Sequence, residues 1–135
     1  SQIQNERIAR MLLMEIAGGA DPEAVAASFT PDVSFEIAGD EGALPWIGHR
    51  IGRGAVADFF RNAGNLIERI SFDVEDVLTS DARAVIVGSL TTRVKATGRV
   101  IESAFAIILT VAEGETISRF QMLEDSFEVS WAARP

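Results

Sequence analysis

Residues 29–60, FTPDVSFEIAGDEGALPWIGHRIGRGAVADFF, change hydrophobic period halfway along. Before Asp40, Val33, Phe35 and Ile37 alternate with Ser34, Glu36 and Ala38, the period of a half-buried strand. After Gly54, Val56, Phe59, Phe60, Ala63 and Ile67 fall on one face at helical spacing. The stretch therefore predicts strand, long connector, helix. The connector carries Trp46 and the only histidine, His49, so a pocket is expected to open near it.

On the N-terminal side, residues 3–17 predict a helix with Ile8, Met11, Leu12 and Ile16 on one stripe, stopped by Gly18-Gly19. Asp21-Pro22-Glu23 starts a short second helix: Asp21 can cap, Pro22 suits the first helical position and Glu23 suits the helix dipole. Thr30-Pro31-Asp32 is expected to end it. The helix after the connector is expected over 53–68. Beyond it, segments 70–78, 83–96, 99–111 and 116–127 are strand-like. They are separated by turn-like breaks at Ser80-Asp81, Thr97-Gly98 and Glu113-Gly114-Glu115. Helices segregated from a meander of antiparallel strands define an α+β class. A sheet burying three helices against one face must curl, and curling leaves a concave cavity.

At 135 residues, the chain is read as one domain, 1–135, large enough for one core. A net charge of −8 argues against nucleic acid, whose phosphates need a basic face, and against an anionic membrane surface. The absence of cysteine excludes disulfides, thiolate catalysis and cysteine-based zinc sites, and fits a reducing cytoplasm. The N-terminal stretch lacks the pattern of a signal peptide, and the apolar run at 104–112 is too short to span a bilayer. One histidine without a partner supports no metal site. Gly52-Arg53-Gly54 lacks the lysine and preceding strand of a phosphate-binding loop, and its glycines are read as permitting a turn. No cofactor is expected.

Several segments carry a family resemblance: Asp21 through Phe29 into Pro31-Asp32-Val33, Pro45-Trp46 with Gly48, Gly52 before Ala55-Val56, Phe59-Phe60, and Leu123-Glu124-Asp125-Ser126. Together they resemble the nuclear transport factor 2-like superfamily, and within it the SnoaL-like and ketosteroid-isomerase-related proteins. The resemblance implies a cystatin-like cone: three N-terminal helices packed on a strongly curved, mostly antiparallel mixed sheet around an apolar cavity. It implies no one reaction, because this superfamily hosts isomerases, polyketide cyclase-like enzymes, hydrolases and non-catalytic binders. The positions that hold the tyrosine and two aspartic acids of ketosteroid isomerases correspond here to Leu13, Ile107 and Ile37, and the chain has no tyrosine. Steroid isomerisation by that mechanism is therefore not expected. The arginine–aspartate pair of limonene-type epoxide hydrolases is likewise absent from VIESAFAIIL, 100–109.

If the family's catalytic positions line the cavity, Leu13, Ile37 and Ile107 line it here. Alternation adds Phe35 and Phe105, and on the last strand Phe120, Met122 and Glu124. Trp46 and Phe59 complete the expected wall. Such a lining suits a small apolar organic molecule. Glu124 and His49 are the candidate catalytic groups. A glutamate facing an apolar cavity has its pKa raised by desolvation and can shuttle a proton; at a frayed strand end in water it would do neither. His49 is either a general acid/base at the cavity mouth or a solvent-exposed loop histidine beside Arg50. Trp46 either lines the cavity or packs under the connector. Asp125 with Ser126 is read as capping backbone amides, and Asp40-Glu41-Gly42 as a solvated turn. Two functions fit: a lyase or isomerase acting on a small apolar carbonyl or hydroxyl compound by general acid/base catalysis, or a non-catalytic small-molecule binder or dimeric accessory module.

The later strands carry apolar residues on both faces. Val85 and Val87 oppose Ile86 and Leu90, and Ile107 and Leu109 are backed by Ala106 and Ile108. A sheet with one buried face alternates more cleanly, so a homodimer through the outer face is expected. Arg93, Arg119, Glu36 and Gln121 would form its polar rim. The competing reading is that these are simply β-branched strand formers in a tightly curled sheet.

Overall fold

The first helix, α1 (Gln2–Ala17), is capped by Ser1, whose hydroxyl accepts the Gln4 N–H at 3.2 Å. It ends at Gly18-Gly19, where Gly19 takes a φ of +67°, a left-handed value that glycine adopts without strain. The computed structural model describes residues Ser1–Pro135. A short α2 (Pro22–Ala26) follows with Pro22 at its start, but Asp21 makes no side-chain cap bond. The helix-to-strand break expected at Thr30-Pro31-Asp32 falls earlier: β1 spans Phe29–Ile37. Phe29 pairs with Ile117, and regular pairing resumes at Ser34 with Arg119. The irregularity between them accommodates Pro31, which has no N–H to give a ladder.

Two elements were not expected. The end of the connector folds into β2 (Gly48–Ile51), antiparallel to β1. The chain end forms α4 (Ser126–Ala133), so β6 (Ile117–Glu124) stops three residues before the expected 127. Asp125 is the reason, because its carboxylate accepts the Glu128 N–H at 3.1 Å and turns the chain from extended to helical. Between these lie α3 (Arg53–Leu66), β3 (Ile67–Thr79), β4 (Arg83–Val94) and β5 (Val100–Val111). Ile67, expected on the helix face, instead opens β3.

The strand order is β2-β1-β6-β5-β4-β3, with β1 and β6 the one parallel pair. Three strands separate β1 from β3, yet α3 packs against both. Four strand spacings in a flat sheet would put them roughly 19 Å apart, beyond the reach of one helix. The sheet therefore curls around α3, as the α+β cone requires, and it stays open at both edges. β3 supplies part of the bend through register shifts at Ile70 and Glu75. β4 supplies another part at Gly88, where a Cβ would lie 2.0 Å from the Asp73 carbonyl oxygen. Only a residue without a side chain permits that approach.

Three sets of polar anchors hold the shell. Asn5, 1% exposed, donates from Nδ2 to the carbonyls of Ser80 and Asp81 at 2.9 and 3.1 Å, fixing α1 to the β3–β4 turn. Asp40 is more than a solvated turn residue. It accepts from Ser130 Oγ at 2.6 Å and Arg134 Nε at 2.8 Å, tying the connector to α4. These bonds hold the Asp40 carboxyl below its ordinary pKa, the Arg134 hydrogen bond first. Arg99 and Thr97, in the β4–β5 turn, donate to the carbonyls of Trp131, Arg134 and Ala132.

Candidate active site

Alternation along the inner sheet face builds the site. On β6, Phe120, Met122 and Glu124 share a side; on β5 Ile107 and Ile101 do; on β4 Leu90 and Thr92 do. Opposite them stand Phe59, Phe60 and Ala63 of α3, with Trp46 and Leu44 of the connector. They enclose a cavity of about 110 Å³. A dry apolar cavity of about 150 Å³ accommodates benzene, so this volume suits a small ring or short chain.

The aromatic residues set the wall by stacking. Trp46 meets the Phe59 ring edge-on at 5.5 Å, and Phe59 meets Phe60 at 4.9 Å. Leu44 and Trp46 are 8% and 4% exposed, so the connector forms a wall instead of the expected mouth. The one solvent-exposed lining residue is Arg69, on the β3 side, and the cavity opens there.

Three polar side chains face this lining: Glu124, Thr92 and Arg69. Glu124 ends β6, half-buried and directly opposite Phe105 on β5. Burial alone pushes its carboxyl up to about 7. No cation compensates it, so near neutrality both its acid and its base form are populated. Thr92 and Arg69 form a second polar group, facing each other across the β3–β4 ladder. The Arg69 guanidinium lies over the Phe72 ring, 5.6 Å from its centroid.

Of the residues expected in the lining, Trp46, Phe59, Ile107, Phe120, Met122 and Glu124 come together. Phe35 and Ile37 lie behind the wall. Phe35 stacks on Phe120 at 4.6 Å, and Ile37, 1% exposed, pairs with Met122. Phe105 leans sideways across Gly88 to stack on Phe72 at 4.6 Å, so it supports the lining without reaching the space. Leu13 borders a groove between α1 and β3 that adjoins the cavity, sharing Ile16, Arg69 and Phe72 with it, and does not itself line the cavity. Of the two readings of His49, the structure matches the solvent-exposed one, with the residue on β2 instead of in a loop. Strand pairing sets His49 opposite the outward-facing Glu36, so its exposed ring bonds Ser34 Oγ at 2.7 Å, away from the cavity. Arg69, Thr92, Phe60 and Leu44 were missed. The inward side of β3 was unreadable because its two register shifts break the alternation.

The family model for the SnoaL-like domain matches residues 12–120. No curated protein matches the chain. Solved structures match closely in fold. An NTF2-like protein from Burkholderia xenovorans superposes with a TM-score of 0.87 at 22% identity, covering 99% of this chain and 98% of that one. An NTF2-like protein of unknown function from Burkholderia pseudomallei gives 0.84 at 20% identity, covering 98% of each chain. A protein with a ketosteroid isomerase-like fold from Catenulispora acidiphila, solved in complex with trimethylamine, gives 0.73 at 16% identity, covering 93% and 91%. With the family model spanning most of its length, the chain belongs to the SnoaL-like domain family, and it shares its fold with solved proteins described as NTF2-like.

Proposed function

We propose that this protein is a lyase- or isomerase-type enzyme that moves a proton on a small apolar carbonyl or hydroxyl compound, with Glu124 as general acid/base. The observation that supports it is an unpartnered carboxyl, raised to about 7, at the edge of a mostly apolar cavity whose other polar side chains are Thr92 and Arg69. As the carboxylate, Glu124 takes a proton from a carbon or hydroxyl of the bound molecule; as the acid, it returns the proton at another atom. Trp46, Phe59, Ile107 and Phe120 hold the carbon skeleton and exclude water. His49 is not assigned a role in this chemistry.

Exchange of the α-hydrogens of cyclohexanone in D₂O, followed by NMR, tests the reading without the natural substrate. Wild type is expected to accelerate exchange and Glu124→Gln to lose the acceleration. Equal rates in the two proteins would sink the assignment.

The second reading, a non-catalytic binder, is supported by the aliphatic residues Leu13, Ile37 and Ile107 at the isomerase positions. It predicts that cyclohexanone binds while its exchange stays at the solvent rate. Either reading includes a homodimer through the outer sheet face and, on the sequence argument, the cytoplasm. Support for the dimer comes from Val85, Val87 and Ile108 on that face beside the exposed Leu123 and Leu78, with the Glu36–Gln121 hydrogen bond among them.

A further inference from the structure

We propose that Arg69 and Thr92 form an anion-binding end of the cavity, so that the molecule held there is an amphipathic monocarboxylate. Its carboxylate sits at the β3–β4 rim and its carbon skeleton runs inward toward Glu124. The inference names the substrate class of the cavity and rests on reading that cavity as a ligand site.

Arg69 is the only cation in the lining and its only solvent-exposed side chain. The protein has 20 acidic residues against 12 basic ones, of which only four, Arg7, Arg10, Arg61 and Arg134, stand in ion pairs. Arg69 has no carboxylate within 4.0 Å, although its chain neighbour is Glu68. Strand alternation explains this: Glu68 pairs with Arg93 on the outer face, whereas Arg69 pairs with Thr92 on the inner one.

The guanidinium has an aromatic support before any ligand arrives. It rests on Phe72, and Phe72 is fixed by its 4.6 Å stack on Phe105. A planar guanidinium fork matches a carboxylate with two parallel hydrogen bonds, and the apolar surface around it strengthens them. Thr92, 8% exposed, adds a hydroxyl donor directly across the ladder.

The opposite end is set by the same register. Thr92 lies four residues along β4 from Gly88, whose row continues through Phe105 to Glu124. Four residues of strand span roughly 13 Å. The anionic head and the proton-transferring carboxyl are therefore kept apart, and the ligand's charge does not press on Glu124. Between them the lining is apolar, which asks for a hydrocarbon body.

Calorimetric titration with hexanoate, hexanamide and hexylamine tests the proposal on the full chain. Wild type is expected to bind hexanoate about tenfold or more tighter than hexanamide, the scale of a charge-assisted pair. Arg69→Met keeps the apolar stem and is expected to bring the two within about twofold while hexanamide affinity holds. Thr92→Val should weaken hexanoate alone. Equal binding of hexanoate and hexanamide, a preference for hexylamine, or a hexanoate preference that survives Arg69→Met would each overturn it. If the two bind equally and Ala63→Trp blocks both, the cavity reading stands and only the anion end falls. If no probe binds wild type, both fall.

Discussion

Phe105 lies against Phe72 with ring centroids 4.6 Å apart and planes 21° from parallel, and the two rings meet across the bare backbone of Gly88. A Cβ at Gly88 would come within 2.8 Å of the Phe105 ring and 2.0 Å of the Asp73 carbonyl. One glycine thus permits both the bend of β4 against β3 and the stack that supports the Arg69 rim. Gly88→Ala is expected to destabilise the fold by about 1–3 kcal/mol or more, because a backbone atom has to move. Urea unfolding measures it; an unchanged midpoint would show that the sheet relaxes freely here.

Glu124 ties stability to pH. Its folded pKa of about 7 lies above the ordinary glutamate value of the unfolded chain. The contribution is fully present below the ordinary carboxylate range, where both states are neutral. It is lost as pH rises through about 7, because the unfolded state ionises first. Glu124→Gln removes the titration. The variant should unfold like wild type at acid pH and be more stable at alkaline pH, by about 1–3 kcal/mol. Matched chemical melts on either side of neutrality check the sign, and greater wild-type stability at alkaline pH would contradict it.

The same carboxyl sets a rate profile. If the carboxylate takes the proton, ketone exchange should rise with pH and level off above about 7. Glu124→Gln should lower it by about 100-fold or more, and His49→Ala should leave it within about twofold. A large loss in His49→Ala would return the outer-face histidine to the mechanism.

For assembly, light scattering at micromolar concentration should give twice the 14.6 kDa mass of one chain. Val87→Arg, on the outer face, should shift it to the monomer without affecting hexanamide binding. A wild-type mass equal to one chain would remove the dimer, leaving the outer apolar residues as strand formers.

Much of this protein is legible in its sequence because the signals are local. The alternation of Val33, Phe35 and Ile37 and the helical spacing of Val56, Phe59 and Phe60 each depend on a few neighbouring residues. So does the alternation that turns Phe120, Met122 and Glu124 to one side. Those periods determine the α+β class, the curled sheet and the carboxyl facing an apolar interior. What tertiary structure alone decided depends on partners distant in the chain. Gly48–Ile51 is too short to declare itself as a strand, and only pairing with β1 sends His49 outward. Alternation separates Arg69 from Glu68, but the register shift at Ile70, set against β4, decides that Phe72 faces the cavity on the same side as Arg69. Phe105 has the right parity for the lining, but the missing side chain of Gly88 on the next strand lets it fold away to Phe72. Periodicity tells which face a residue takes; the neighbouring strand decides where on that face its side chain comes to rest.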